Sequence, residues 1–262
     1  MKIVFHHDFY QVYTSDPAAA LERMQSIVTI ISGHYEFMEP TPANEDDIAA
    51  VHTLSHIDHV KRLSLYDISA LAAGGAIQAA SIGLKEPCFA LIRPPGDHAS
   101  ADSSWGFCYF NNMAVALEKL KREKAIERAF VLDIDLHFGD GTVNIFGKKE
   151  YVSVFNASSN DRKSYLKAIA KELEEQQSDI IGISAGFDNH KDDWGGLLET
   201  EDYTTIGEMV RNTCERKRCG YFAVLEGGYN HQVLGHNVLA LLDGLEHGHL
   251  FNEEPVVPKQ QD

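Results

Sequence analysis

The sequence feature that most constrains the fold is the stretch at residues 131–141, which reads VLDIDLHFGDG. It is a short apolar run that ends at a Gly-Asp-Gly turn signal, a pattern typical of a buried strand in a parallel sheet. Because side chains alternate faces along a strand, Asp133, Asp135 and His137 are predicted to share one face. Two buried carboxylates and an imidazole need a compensating partner, and a divalent metal supplies one. The stretch therefore predicts a metal site, and a polar strand end that only caps a turn is the alternative.

Apolar segments recur along the chain and alternate with segments of helical periodicity. Besides the central strand, which begins at residue 131, strands are predicted at residues 3–7, 88–93, 151–155, 179–184 and 221–225. Helices are predicted at residues 17–31, 45–52, 55–63, 70–84, 112–123, 162–177, 201–218 and 231–246. This alternation predicts one α/β domain at residues 1–251, in three layers, with a mostly parallel central sheet. Residues 252–262, which include two prolines, are predicted to form a frayed tail.

Each central strand is followed by a polar turn that contains glycine. Ligands of open parallel sheets bind outside the carboxyl ends of the strands. The four turns expected to converge on one site are therefore residues 93–98, 133–140, 184–193 and 226–230.

Composition limits the class of protein. The 262 residues are 44% hydrophobic, enough for a sizeable core, and carry a formal charge of −16. Such a charge disfavours nucleic acid and anionic membranes and favours cationic ligands, although solubility alone explains it equally well. The four cysteines form no C-x-x-C pair, which indicates a reducing compartment. With neither a signal peptide nor a membrane-length apolar run in view, we expect a cytoplasmic protein that binds neither nucleic acid nor membrane.

Five motifs lie in or beside the four turns. They are RPPGDHA at 93–99, GFCYFNN at 106–112, DIDLH at 133–137, SAGFD at 184–188 and EGGYN at 226–230. In this order they resemble the histone deacetylase superfamily, which includes acetylpolyamine amidohydrolases and acetoin-utilisation proteins. The resemblance spans nearly the whole chain. It implies an arginase/deacetylase-like fold and a zinc-dependent amidohydrolase that removes an acetyl or short acyl group from an amine.

The resemblance also implies a metal centre. Asp135 and His137 match two zinc ligands, and the third is expected at Asp193, five residues beyond the aspartate of the SAGFD motif. Asp192 is a lesser candidate that we interpret as a solvated loop carboxylate. Two aspartates and one histidine leave positions open for water and a substrate carbonyl, as a catalytic zinc requires. Ferrous iron is an alternative metal.

Two further features follow from the same resemblance. Asp133, with backbone carbonyls of the central strand and with Ser153, resembles the family's site for a monovalent cation, K⁺ or Na⁺. Phe107 matches one wall of a narrow acyl-lysine tunnel, although core packing explains a phenylalanine at this position nearly as well.

Three residues match the catalytic groups of the family. His98 matches the general base that takes a proton from water and later protonates the leaving amine. Asp140 matches the carboxylate that orients this histidine, and it also suits the turn before Gly141. Tyr229 matches the tyrosine whose hydroxyl stabilises the oxyanion, although a tyrosine after two glycines is more often a plain turn residue.

The chain departs from the family pattern at Asp97, where most relatives have a histidine before the one at position 98. In the family that histidine pairs with the aspartate that matches Asp133. Two carboxylates in contact require a proton on one of them or a cation between them. We therefore expect activity with an altered rate or pH optimum. Phe138, where relatives often have a histidine, is expected to face away from the metal.

The chain is short for this superfamily. A shorter rim around the tunnel indicates either an open pocket with loose substrate choice or a rim completed by a partner chain, including a homo-oligomer. The substrate is expected to be an acyl-lysine or a small acetylated amine such as an acetylpolyamine. Two alternatives remain: a catalytically impaired homologue that binds zinc or acyl groups, and an arginase-like ureohydrolase with a two-metal cluster.

Overall fold

The computed structural model describes residues 1–246. The predicted tail at residues 252–262 lies outside the described residues, and the domain boundary at residue 251 stays a prediction.

The described strands form one sheet in which each pairing is parallel. The strands are β1 (Lys2–Val4), β2 (Glu36–Met38), β3 (Cys88–Ala90), β4 (Ala129–Asp133), β5 (Val152–Asn156), β6 (Ile180–Ala185) and β7 (Gly220–Leu225). Their order across the sheet is β2-β1-β3-β7-β6-β4-β5. Every residue of β3, β4 and β6 is buried, as expected where helices cover both faces of a parallel sheet.

Helices connect the strands. They are α1 (Leu21–Ile31), α2 (Glu45–Ala49), α3 (Leu54–Arg62), α4 (Tyr66–Gly83), α5 (Asn112–Arg122), α6 (Asp140–Phe146), α7 (Arg162–Glu175), α8 (Thr200–Lys217) and α9 (Leu234–Glu246). The helix predicted from residue 17 is divided, because a 3₁₀ turn at Pro17–Ala19 ends at Ala20, which has extended backbone (φ −57°, ψ 137°). Within residues 1–246, no helix is long and apolar enough to cross a lipid bilayer.

The direction of each crossover assigns the helices to two layers. Parallel crossovers are right-handed, so connections that run in opposite directions along the sheet lie on opposite faces. The connections through α1, α7 and α8 run toward β2, and those through α2 to α6 run toward β5. The contacts agree, since α4 packs on α5, β1, β3 and β7, while α9 packs on α1 and α8. The predicted three-layer α/β fold is confirmed.

Three local predictions differ from the structure. Strand β2 was not predicted, because three edge residues give too short a pattern. The segment after Gly139 is helix α6 and not only a turn, with Asp140 as its first residue. Strand β4 ends at Asp133, so alternation along a strand does not determine where Asp135 and His137 point.

Candidate active site

A pocket of about 290 Å³ opens at the carboxyl ends of the four central strands β3, β7, β6 and β4. It is lined by Pro95, Asp97, His98, Trp105, Gly106, Phe107, Asp135, His137, Trp194, Gly227 and Tyr229. The lining comes from the segments that follow the four central strands, as the sequence predicts. The first and the last of the five motifs, at residues 93–99 and 226–230, therefore line the same pocket.

His98 and Asp140 form a hydrogen-bonded pair at one side of this pocket. His98 Nδ1 lies 2.9 Å from Asp140 Oδ1, while the histidine itself is buried. Asp140 occupies the first turn of α6, whose backbone approaches the turn after β3 through a bond from Thr142 N to Asp97 O (3.0 Å). With Nδ1 facing the Asp140 carboxylate, Nε2 is the ring nitrogen available for chemistry in the pocket, where it lies 3.5 Å from Asp97 Oδ2.

Three side chains form a group suited to a metal. One donor atom each from His98, Asp135 and His137 lies within 4.8 Å of the other two. Asp135 is held by two backbone amides, since Oδ1 accepts from His137 N and Oδ2 from Gly227 N, both at 2.9 Å. A side chain at Gly227 would place its Cβ 2.5 Å from Asp135 Oδ2, so only glycine permits this approach.

Asp188, at the end of the SAGFD motif, lies beside this group. It is fully buried, its Oδ1 accepts from Leu136 N (3.2 Å), and its Oδ2 lies 3.4 Å from His137 Nδ1. Oδ2 makes no hydrogen bond in the described part of the chain. Burial and Asp135 raise the pKa of Asp188 to about 6, and the adjacent carboxylates of Asp135 and Asp188 raise the pKa of His137 to about 10.

Asp193 has a different set of contacts. Its Oδ2 accepts from the backbone amides of Tyr229 and Asn230, both at 2.8 Å, and its Oδ1 accepts from Trp194 N at 2.8 Å. The carboxylate therefore ties the segment after β6 to the turn after β7, and the structure does not bring it into the metal-binding group. Asp192 is exposed, in agreement with its interpretation as a solvated loop residue.

Four buried carboxylates belong to the segments that form the pocket, and we name Asp97, Asp133, Asp188 and Glu226 the pocket floor, of which Asp97 lines the pocket itself. All four are buried, and each has one oxygen without a hydrogen-bond partner in the described structure. Burial and the charges of Asp135 and Glu226 raise the pKa of Asp97 well above its usual range. Burial, opposed by a bond from Gly96 N to Glu226 Oε2 (2.7 Å), raises the pKa of Glu226 to about 8.

Asp133 also contributes to the raised pKa of Asp97, after burial, Asp135 and Glu226, and the expected effect of Asp97 on activity stays a prediction. The second oxygen of Asp97 accepts from the Cys108 thiol at 3.5 Å, and Asp133 Oδ1 accepts from Asp135 N at 3.0 Å. A buried carboxylate with a free oxygen requires either a proton or a cation.

Ser153 does not reach Asp133. It is exposed on β5 and pairs in register with Phe130, whereas Asn156 pairs with Asp133. Ser153 is three residues from Asn156 along β5, so it lies about 10 Å along the strand from the position opposite Asp133. Asn156 instead supports the site through Oδ1, which accepts from Gly139 N at 2.8 Å.

Aromatic side chains form the walls of the pocket. Tyr229 stacks on Trp194 with ring centroids 4.1 Å apart and meets Phe107 edge-on at 5.9 Å. Burial raises the pKa of Tyr229 above its usual value, so its hydroxyl keeps its proton near neutral pH. The structure therefore places Phe107 and Tyr229 on the pocket wall together with Trp194, which sequence reasoning did not identify.

A second buried polar group lies beneath residues 98–111, and we name His52, His56, Asn111 and Thr142 the support layer. His52 Nδ1 donates to Ser100 O (2.9 Å), its Nε2 accepts from Asn111 N (2.9 Å), and His56 Nε2 donates to Tyr109 O (2.7 Å). Burial and His56 lower the pKa of His52 to about 3. These side chains hold the segment that carries His98.

Several site residues lacked a predicted role. Asp188 and Glu226 were inside quoted motifs, and their position directly after buried strands was the available signal. Trp105 and Trp194 gave no such signal, because a single tryptophan in a loop has no periodicity.

Comparison with known proteins agrees with this geometry. A "Probable deacetylase" of Methanothermobacter thermautotrophicus is 30% identical over 280 residues, covering 85% of this chain and 82% of that protein. A "Histone deacetylase-like amidohydrolase" of Pseudomonas aeruginosa is 26% identical and covers 85% and 74%, respectively. The crystal structure of the HDA15 HD domain superposes with a TM-score of 0.83 at 22% identity, over 95% of this chain and 90% of that one, and shows the same fold. Because residues 16–165 and 157–245 match the histone deacetylase domain, the chain belongs to the histone deacetylase family.

Proposed function

We propose that this protein is a zinc-dependent amidohydrolase that removes an acetyl or short acyl group from an amine. The observation that carries the proposal is the arrangement of one pocket, in which the His98–Asp140 pair faces the donors of Asp135 and His137 and in which Tyr229 forms a wall. The relatives named deacetylases and amidohydrolases support the same reaction class.

The donor set fits a zinc ion. We assign the metal to Asp135, His137 and Asp188, because Asp188 Oδ2 is buried, unpartnered and 3.4 Å from His137 Nδ1. The expected ligand Asp193 is replaced in this assignment, since the carboxylates beside His137 Nδ1 in the described structure are those of Asp135 and Asp188, whereas Asp193 binds the amides of the turn after β7. Two carboxylates and one imidazole leave open positions, as in catalytic zinc sites. When bound, the metal supplies Lewis acidity that polarises an amide carbonyl and acidifies water.

The protein's own side chains would handle the proton. Asp140 orients His98 through Nδ1, so that Nε2 accepts the proton of the attacking water and then donates it to the leaving amine. The protonated hydroxyl of Tyr229 donates a hydrogen bond to the substrate oxygen as negative charge develops there.

The buried carboxylates and the acidic surface indicate a second cation and a class of substrate. The free oxygen of buried Asp133 supports a monovalent cation, K⁺ or Na⁺, beside the zinc, without a contribution from Ser153. The formal charge of −16 favours substrates with a free cationic amine, which include acetylpolyamines and acyl-lysine peptides. We favour a small acetylated amine or a broad range of acyl-lysines.

The test is hydrolysis of an N-acetyl-lysine reporter amide and of an acetylpolyamine by zinc-loaded protein. Tyr229→Phe should lower kcat by about a hundredfold or more, the effect of removing one oxyanion donor, while zinc stays bound. Tyr151→Phe is the matched control, because its hydroxyl contacts Glu118 outside the pocket. Equal turnover by Tyr229→Phe and wild type would contradict the role of this tyrosine.

Two outcomes would redirect the assignment. Zinc binding without turnover on any acyl amine would favour an impaired homologue, with Asp97 in place of the usual histidine as the specific reason. Two transition-metal ions per chain would favour ureohydrolase chemistry.

A further inference from the structure

We propose that Trp105 is a positioning residue that holds the His98–Asp140 pair in place from the solvent side. The inference rests on the proposed function and adds a residue to its proton-transfer machinery. Trp105 Nε1 lies 3.1 Å from Asp140 Oδ1 and 3.0 Å from Oδ2, so the indole N–H donates to the carboxylate that faces His98. Its ring also lies on the His98 ring, with centroids 4.0 Å apart and planes 32° apart.

These contacts give Asp140 two partners on different sides. His98 Nδ1 binds Oδ1 at 2.9 Å, and the indole N–H lies between the two oxygens. The Asp140 side chain is 38% exposed, so without the indole it would be free to rotate toward water. A carboxylate that orients a histidine is effective only in one rotamer. Trp105 therefore fixes the rotamer on which the orientation of His98 depends.

The backbone around Trp105 is shaped for this position. Ala99 and Ser104 form an antiparallel bridge, so the chain folds back directly over His98. Gly106 has φ +59°, and a Cβ at that residue would lie 2.4 Å from His98 Cδ2. A residue other than glycine would push the turn off the histidine. The tight turn thus places the indole of Trp105 in contact with both His98 and Asp140.

The contact is unusual for a surface side chain. Trp105 is 54% exposed, and so is Trp194, the second of the two tryptophans in the chain. Trp194 stacks on Tyr229, but its indole N–H makes no hydrogen bond with any residue of the described structure. The two indoles therefore differ in hydrogen bonding at equal exposure, which makes Trp194 an internal reference.

The first test measures the two indole N–H signals by ¹H–¹⁵N NMR of the zinc-loaded protein, with Trp194→Phe to assign them. The Trp105 signal should exchange with solvent about tenfold more slowly than that of Trp194, because its hydrogen bond must open first. Asp140→Ala should remove this protection and shift the Trp105 signal alone. Equal exchange of both indoles in wild type would overturn the contact, and this measurement needs no variant to fold.

The second test separates positioning from substrate binding. Trp105→Phe keeps a ring over His98 and loses the N–H, so kcat should fall about tenfold while KM stays within about twofold, in line with a lost bond to a charged group. Asp102→Asn, in the same turn, should behave as wild type. A raised KM with unchanged kcat would show that Trp105 only lines the rim and would overturn the inference. Absence of turnover in wild type would instead contradict the proposed function, and the indole exchange would still decide whether the contact exists.

Discussion

The support layer and the pocket floor are both buried and polar, yet they treat their polar atoms in opposite ways. In the support layer, no buried side-chain nitrogen or oxygen atom of His52, His56, Asn111 or Thr142 lacks a hydrogen-bond partner in the described structure. In the pocket floor, each of the four carboxylates has one such atom. The first group contains no carboxylate and has no unpaired buried polar atom in the described structure, whereas the second is acidic and has four.

The difference separates scaffold from site. A buried polar group without a partner costs about 1–3 kcal/mol, and more when it is charged, so four of them in one place are retained only if something else binds there. The unpaired atoms are all carboxylate oxygens, which indicates that the missing partners are cations or protons. Three predictions test whether the two regions differ in this way.

The largest effect is expected when the floor loses a metal ligand. Asp188→Asn should weaken zinc binding by about a hundredfold or more and abolish turnover, because an amide is a poor substitute for a buried carboxylate ligand. Asp193→Asn is the matched change, and it should keep zinc while destabilising the fold by about 1–3 kcal/mol through its lost amide contacts. Plasma emission spectroscopy measures the zinc content of each variant, and urea unfolding measures its stability. The reverse result, with zinc lost from Asp193→Asn alone, would restore the ligand predicted from sequence.

The second effect is a pH dependence of zinc affinity. In the metal-free protein, the adjacent carboxylates of Asp135 and Asp188 raise the pKa of His137 to about 10, so the imidazole is protonated at neutral pH. Zinc requires the neutral ring, and binding must release this proton. The apparent Kd should therefore fall by about tenfold per pH unit between about pH 6.5 and 8.5. Competition with a chelating dye measures this slope, and a flat profile would remove His137 from the ligand set.

The smallest effect concerns the support layer. Burial and His56 lower the pKa of His52 to about 3 in the folded protein, whereas the unfolded chain takes up the proton near pH 6.5. The contribution of His52 to stability is thus complete above pH 6.5 and is lost as the pH falls toward 3. The loss should be about 1.4 kcal/mol per pH unit, the slope that corresponds to one proton. Urea unfolding of metal-free protein from pH 7 to pH 4 should show a slope shallower by one proton in His52→Gln, and parallel slopes would disprove the assignment.

Much of the fold was predictable because strand ends and periodicity are local signals. The apolar runs of β4, β6 and β7 and the glycine-containing turns after them determine a parallel sheet with a site at its carboxyl edge. The resemblance then placed His98, Asp140 and Tyr229 around one pocket, where the structure has them.

The remaining details depend on contacts between distant segments. Asp188 and Asp193 are both acidic and lie in the same loop, and only the approach of the β7 turn shows that Asp193 is occupied by amides. Ser153 was misplaced because the β4–β5 register, which pairs Asn156 with Asp133, is set by the packing of the whole sheet. Trp105 acts on a residue that is 35 positions away, which no local pattern encodes.

The strand order also has a consequence for biosynthesis. Strand β7 pairs with β3 on one side and β6 on the other, so a ribosome-bound chain that ends before residue 220 holds two separate half-sheets, β2-β1-β3 and β6-β4-β5. The last strand to be synthesised thus completes the centre of the sheet and brings Gly227 and Tyr229 to the pocket. A chain that ends before residue 220 therefore carries Asp97, Asp133 and Asp188 of the pocket floor but not Glu226, which follows β7 directly and reaches the site together with Gly227 and Tyr229.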